Sequence, residues 1–420
     1  MALLYPRSKK DTTMSTSLLY HVWGVRDVHY HSVEFLNGMT VFHATINPKY
    51  VRCTCCKSYR VIGSGGTFRV FHLPPTGSRQ IQMSVWIPRI ECKSCKAIRQ
   101  VKIPFADPKK HYTRSLERYV ISLFPAMTID EITCHTGLGW NTVKNIHKRH
   151  LHRKYKNIRL RKLRYIAIDE VCIGEGHKYL TIVMDLCSGA VIHIGEGKGG
   201  DALKPFWKRL KRSKAKIQAV ATDMGKAYIS AVMTHLPKAD LVLDHFHVVK
   251  WFNEKLTKLR RDLYKEAVGM GKDLLKGLRW LILKNPENLK PHENLAKDQR
   301  YRLQEALVLN EPLCKAYYLK EELRYLWKQP NKEAADSLLT CWITCARNSG
   351  VTVLKKAAKQ LQLYRSALLR WYDHRISTGP LENMNGKIGT LQRRGYGWRD
   401  QEYFFLRIKH LHRSAYALNG

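Results

Sequence analysis

The sequence predicts a multidomain α/β chain: a cysteine-built ribbon, a helix-turn-helix, and a mixed sheet interrupted by an all-helical insertion. Three observations carry that expectation. Two C-x2-C pairs, Cys53/Cys56 and Cys92/Cys95, stand 35 residues apart. Between Tyr165 and Asp244, strand-like and helical runs follow an order that implies both antiparallel and parallel neighbours. From 251 to 375 the texture becomes long, helical and rich in Leu, Lys and aromatics. The expected boundaries are an N-terminal segment at 1–46, the ribbon at 47–106 and the helix-turn-helix at 107–160. The sheet domain takes 161–250 and 376–413, and the helical insertion 251–375.

Charge narrows the function. The 420 residues carry 73 Lys+Arg against 34 Asp+Glu, a formal net charge of +39. Such an excess repels itself in the compact state, and a polyanion relieves it. Nucleic acid is the commonest polyanion. The cations are clumped. Ten Lys/Arg and no acid lie between Thr142 and Arg164, and seven and no acid between Leu203 and Lys216. Seven against two acids lie between Gly386 and Arg413. One such run reads as a solvated face; three favour a path for a phosphate backbone. No apolar run approaches the ~20 residues of a membrane span. The N-terminal MALLYPRSKKDTT lacks the apolar core of a secretion signal. The expectation is a cytoplasmic, nucleoid-associated chain without membrane contact, whose eleven cysteines are thiols or metal ligands rather than disulfides.

The elements follow in order. Met39–Ile46 has strand composition. Cys53, Cys56, Cys92 and Cys95 supply two tight knuckles and the four thiolates that a tetrahedral structural Zn²⁺ takes. Cys55 lies inside the first knuckle and competes as a ligand. Thr67–Leu73 and Ile81–Ile87 read as strands around a Pro74-Pro-Thr-Gly77 turn. Thr128-Ile-Asp-Glu131 fits a capping box and opens a short helix to Thr136. After Gly137-Leu-Gly139, a second helix carries Val143 and Ile146 inward and Asn141, Thr142, Lys144, Asn145, Lys148 and Arg149 outward. Amides that read adenine edges and cations that hold phosphates make this a DNA-reading helix, although any helical hairpin shares part of the pattern. Later come strands Tyr165–Asp169, Lys178–Asp185 and Ala190–Ile194, a helix from about 201, strand Ile217–Asp223, a helix from Met224 and strand Asp240–Asp244.

Two of these strands end on acid. YIAID closes on Asp169 and QAVATD on Asp223. If the strands are neighbours, the carboxylates meet and repel unless a cation sits between them. Glu382, just inside the helix that starts around Pro380, is a third acid. Three acids suit Mg²⁺ or Mn²⁺, which keep water and phosphate ligands. Taken singly, each acid has an ordinary explanation as a turn, cap or helix N-terminal residue. Glu170, Asp185, Asp240 and Asp373 read that way.

The chain resembles the bacterial insertion-sequence DDE transposases of the ISL-three family, from about Leu18 to about Leu411. The resemblance rests on the cysteine ribbon with its His72-Leu-Pro-Pro middle, the helix-turn-helix, and IAIDE. It continues through TDMGKAYISAV, LPKADLVLDHFHVVK and STGPLENMNGKIGTLQRRGYGWRD. It implies an RNase H-like catalytic domain in which Asp169, Asp223 and Glu382 hold the catalytic metals. Asp244 and His247 resemble the D/C-x2-H element that supports such sites. Arg393 and Arg394 join the expected DNA contacts. The implied partners are double-stranded terminal inverted repeats and target DNA, bound by a homodimer or higher oligomer. Two competitors share these features: a catalytically silent DNA-binding regulator, and a nuclease that cuts without joining. A tyrosine or serine recombinase lacks a visible Arg/His arrangement to activate its nucleophile.

Overall fold

The computed structural model describes residues 18–156, 158–174, 178–268, 270–395 and 398–412. The readings that touch 1–17, Tyr396-Gly397 and Arg413 lie outside the described residues. The chain forms two compact units, Met1–Arg153 and Lys154–Gly420. No helix among the described residues is long and apolar enough to cross a membrane.

The first unit opens with α1 (Leu18–Trp23) and the hairpin of β1 (Val28–Leu36) and β2 (Met39–Ile46). Asn37 and Gly38 join these strands with φ of 45° and 79°. Two positive φ values in a two-residue loop make the turn type that matches strand twist, and Asn-Gly is its preferred pair. A second hairpin, β3 (Val61–Thr76) and β4 (Arg79–Cys92), runs longer than its apolar centre suggests. Pro74 and Pro75 fall inside β3, where the register shifts between Leu73 and Thr76. An edge strand tolerates them because its outer N–H groups need no partner, and β3 is the edge in the order β1-β2-β4-β3. A short β5 (Ile98–Gln100) also pairs with β4. Because β2 lies parallel to β4, residues 18–46 share a sheet and a core with the ribbon strands. Trp23 and Phe42 share one core with Phe71, Met83 and Phe105.

Three helices follow: α2 (Arg114–Leu123), α3 (Ile129–Thr136) and α4 (Trp140–Tyr155). The capping box on α3 forms as read: Glu131 N–H donates to Thr128 Oγ1 at 3.3 Å, and Thr128 N–H to Glu131 Oε2 at 2.6 Å. Gly137 ends the helix at φ 68°. Val143 and Ile146 are fully buried against Leu116 and Val120 of α2. Glu117, 7% exposed, takes Arg149 Nη2 at 2.5 Å and Arg153 Nη2 at 3.3 Å. One buried carboxylate thereby fastens α2 to α4.

The second unit is built on β6 (Tyr165–Cys172), β7 (Tyr179–Asp185), β8 (Ala190–Glu196), β9 (Ala219–Thr222) and β10 (Asp240–Leu243). The sheet order is β10-β9-β6-β7-β8. Strands β10, β9 and β6 are parallel, while β6, β7 and β8 are antiparallel. Helices α5 (Lys204–Ser213) and α6 (Lys226–His235) provide the crossovers. Then come α7 (His245–Glu266) and α8–α14 (Met270–Leu275, Gln299–Leu309, Glu311–Arg324, Lys332–Asn348, Thr352–Leu363, Arg365–Leu369 and Trp371–His374). Last are α15 (Gly379–Arg394) and α16 (Gln401–His410).

Strand alternation splits this unit into two cores. Ile166 and Ile168 pack with Phe206, Trp207 and Tyr228 on the α5/α6 face. Ala167 and Val171 pack with Leu381, Met384 and Phe404 on the α15/α16 face. Side chains at i and i+2 share a face, so Asp169 belongs with Ala167 and Val171, towards α15. The α7–α13 block buries its own core around Phe252, Leu339 and Trp342.

Candidate active site

Register places the first two acids. The last pair between β6 and β9 is Ile168 with Thr222. Asp169 and Asp223 are the next residues of each strand. The last pair between β10 and β9 is Leu243 with Thr222, so Asp244 comes next on the third parallel strand. Asp169 does not end its strand: β6 continues to Cys172 because its other edge stays paired with β7 through Tyr179.

Helix α15 supplies the remaining groups. Asn385 Nδ2 donates to Asp169 Oδ2 at 2.9 Å, and the N–H of Glu170 donates to Oδ1 at 2.8 Å. Glu382, one turn before Asn385, lies 3.0 Å from His247 Nε2, an ion-pair distance without hydrogen-bond alignment. Asp223 folds back to accept the N–H of Gly225 at 2.9 Å. A Cβ at Gly225 would meet that oxygen at 2.7 Å, so any larger residue there would push the Asp223 carboxylate aside. Glu170 points to the opposite face and pairs with Lys198. Of the neighbouring acids in IDE, only Asp169 therefore faces α15.

Asp244 holds this arrangement together. It is 1% exposed. Its Oδ1 caps α7 by accepting the N–H groups of Phe246 (2.9 Å) and His247 (3.4 Å). Its Oδ2 accepts the N–H of Thr378 at 2.8 Å. Thr378 carbonyl oxygen in turn accepts the N–H groups of Leu381 and Glu382. One carboxylate thus pins both ends of the helical block, from which His247 and Glu382 project. The histidines open a helix here rather than end a strand.

Burial sets the electrostatics. Asp169 is 7% exposed. Loss of solvent, more than the nearby Asp223 and Glu170, pushes its carboxyl from the ordinary 3.8 up to about 6, against its Glu170 N–H bond and His247. A raised carboxyl favours the fold below its unfolded value, and that contribution fades as pH climbs through about 6. In Mg²⁺-free buffer, Asp169→Asn should therefore gain stability over the wild type at pH 7.5 but not at pH 4. About two pKa units correspond to at most about 3 kcal/mol. Paired thermal melts at the two pH values check it. Asn385 Oδ1, also buried, has no hydrogen-bond partner. Carboxylate oxygens are the hard donors that Mg²⁺ or Mn²⁺ takes, but Asp169, Asp223 and Glu382 do not close into a metal-ligand group among the described residues.

The cysteines form a second candidate metal site, in the first unit. Cys53, Cys56, Cys92 and Cys95 bring their sulfurs within 4.8 Å of one another, the one such group of three or more possible metal ligands among the described residues. Cys53–Cys95 and Cys56–Cys92 Sγ separations are 3.6 and 3.5 Å. A tetrahedron with Zn–S of about 2.3 Å has edges of about 3.8 Å, so the set fits zinc. The two knuckles match: Lys57 and Lys96 donate back to Cys53 and Cys92 carbonyls, with φ of 64° and 58°. The N–H groups of Cys95 and Ser94 pull the Cys92 thiol down to about 6, while, against the N–H groups of Ser58 and Ala97, the neighbouring thiols push Cys56 and Cys95 up. Cys55 stands outside this group.

On the surface of α4, Asn141 and Asn145 are exposed, while Thr142, Lys144 and Lys148 are half-buried. Lys144 lies over the Trp140 ring at 5.5 Å. Arg149 is turned onto Glu117. Arg393 and Arg394 are exposed in the last turn of α15. Asn385 escaped the sequence reading, although its i+3 spacing from Glu382 puts both on one helix face.

A family model described as a transposase of the ISL3 DDE group matches residues 166–408. A second, described as the helix-turn-helix domain of transposase family ISL3, matches residues 101–151. The transposase for insertion sequence element IS1001 of Bordetella parapertussis is 32% identical over 328 residues, 76% of this chain and 79% of that one. The transposase for insertion sequence element IS1557 of Mycobacterium tuberculosis is 26% identical over 407 residues, 90% of each. Among solved structures, the Drosophila P element transposase strand transfer complex aligns over 70% of this chain and 90% of that one. Its identity of 10% and TM-score of 0.35 are too low to carry an argument.

Proposed function

The chain belongs to transposase family ISL3, and from that membership we propose that it cuts the ends of an insertion sequence and joins them to new DNA, with Asp169, Asp223 and Glu382 as its catalytic acids. The observation that supports the reading is the shared register: Asp169 and Asp223 each follow the last pair of the β6–β9 ladder, and α15, which carries Glu382, reaches Asp169 through Asn385.

The chain's own groups position and neutralise. Asn385 and the Glu170 N–H orient Asp169. His247 braces Glu382. Mg²⁺ or Mn²⁺, which Asp169, Asp223 and Glu382 would hold, would supply activation of water and neutralisation of phosphate charge. Water attacks phosphorus at the element end, the P–O3′ bond breaks, and a 3′-OH is released. That hydroxyl then attacks a phosphodiester of the second DNA and displaces its 3′ oxygen. In-line alignment is what a rigid sheet edge contributes. On this reading Asn141, Thr142, Lys144, Asn145 and Lys148 contact the terminal repeats, and Arg393 and Arg394, about 16–18 Å along α15 from Glu382, hold DNA away from the acids. Arg149 reaches DNA only by sharing its guanidinium with Glu117. Two ends must meet, so the active form is a dimer or higher assembly on DNA.

The test uses purified protein, Mg²⁺, and a supercoiled plasmid carrying the DNA that flanks the gene. Recovered joined molecules support the proposal. Breaks without joining mark a nuclease, and specific binding without breaks marks a regulator.

We also propose a structural Zn²⁺ on Cys53, Cys56, Cys92 and Cys95. Metal analysis should find about one zinc per chain. Cys92→Ser should lower it severalfold and open the two knuckles to proteolysis, since ligand loss removes folding energy. Cys55→Ser should retain the metal.

A further inference from the structure

The sheet of the second unit has two ends, and the acids occupy only one. At the other end lies an open cavity of about 840 Å³ lined by Arg161, Lys162, Arg164, Arg212, Lys214 and Lys216. Two sequence-distant basic runs converge there for a topological reason. Arg164 immediately precedes β6 and Gln218 precedes β9, and the N–H of Gln218 donates to the Arg164 carbonyl at 2.8 Å. Lys214, at φ 55°, turns the chain from the end of α5 towards β9. All six cations are exposed. No carboxylate lines the cavity, and none pairs with any of the six among the described residues.

Six like charges around one cavity repel each other, and the C-terminus of α5 and the Tyr165 ring under Arg164 offset only part of this. The counter-charge must come from outside. The lining holds no aromatic ring, so it offers no platform for the base stacking that single strands use. It presents only phosphate-binding groups. The distance to the acids excludes the scissile phosphate as its ligand. Arg164 and Asp169 are five residues apart along one strand, roughly 16 Å at about 3.3 Å per residue.

We propose that this cavity is a second, non-catalytic DNA site, which grips the backbone of a duplex independently of sequence. It rests on the DNA-binding reading above and adds a location at the opposite end of the sheet from the acids. The duplex is either the transposon end or the target, since both present the same phosphates.

The test is the triple substitution Lys162→Gln, Arg212→Gln, Lys216→Gln in the full chain. Two 40-base-pair duplexes are titrated, one from the DNA flanking the gene and one of arbitrary sequence. Affinity at 100 mM salt should fall at least about tenfold, and the slope of log affinity against log salt should flatten by about 2.7 for three lost contacts. A loss on both duplexes assigns the site to any backbone. A loss on the flanking duplex alone shows sequence-dependent binding and overturns the proposal. Unchanged affinity and slope on both overturn the proposal. The charge-preserving triple Lys162→Arg, Arg212→Lys, Lys216→Arg should bind as wild type; if it loses binding equally, charge is not the cause and the proposal fails. If the wild type never cuts DNA yet the Gln triple still binds it less tightly, the transposase reading falls and the groove stands.

Discussion

Glu382→Gln should bind DNA as the wild type does and cut it on the order of 10³-fold more slowly, the scale of losing one group that meets charge in the transition state. The substitution keeps the side chain's length and its place on α15 but removes the charge that faces His247 Nε2 at 3.0 Å. Cleavage of an end-labelled duplex at saturating protein separates the two effects. Lost binding with normal cleavage of the bound fraction would assign Glu382 to DNA contact instead.

The second large effect is at Asp244, which touches neither partner acid in the contacts described. Asp244→Asn keeps one oxygen to cap α7 but cannot accept the N–H of Thr378 with the other position. The α15 end of the latch then opens while the α7 end stays closed. Cleavage should fall about 10²-fold with little change in DNA affinity, because small misplacements of catalytic groups cost that much. Asp244→Ala frees the buried N–H of Thr378, costing about 1–3 kcal/mol, and the part-buried N–H groups of Phe246 and His247, and should also lower the melting temperature by several degrees. An Asp244→Asn chain that cuts normally would reduce the residue to an ordinary helix cap.

Much of this was legible in the sequence, where the signal is local. The Thr128–Glu131 capping box is a four-residue pattern, and its reciprocal bonds form. The strand–helix order from Tyr165 to Asp244 implied a mixed sheet, and the sheet is mixed. Local composition failed where pairing partners decide. The strand read as ending at Asp169 runs to Cys172 because β7 pairs with it that far. Pro74 and Pro75 looked like a turn, yet an edge strand carries them. Before residue 47 the sequence reading found only the Met39–Ile46 strand, although Asn37-Gly38 between two apolar runs is a hairpin signal. Its place beside β4 is a long-range parallel pairing that no local pattern encodes. Asp244 read as the end of a strand, and in the fold it caps the helix that carries His247. The Asp244–Thr378 bond spans 134 positions, and only the folded chain brings its partners together.

The central claim is that the acids beyond the β6–β9 ladder, and not other acids of the same sheet, cut DNA. Its most direct test maps new 3′ ends at nucleotide resolution on the flanking-DNA plasmid in Mg²⁺. Wild type, Asp169→Asn and Asp185→Asn are compared. Asp185 is the control because it serves a turn, accepting the Cys187 N–H and the Ser188 hydroxyl. The account predicts paired breaks at inverted repeats for wild type and Asp185→Asn, and none for Asp169→Asn. The same breaks in Asp169→Asn at wild-type yield would contradict it.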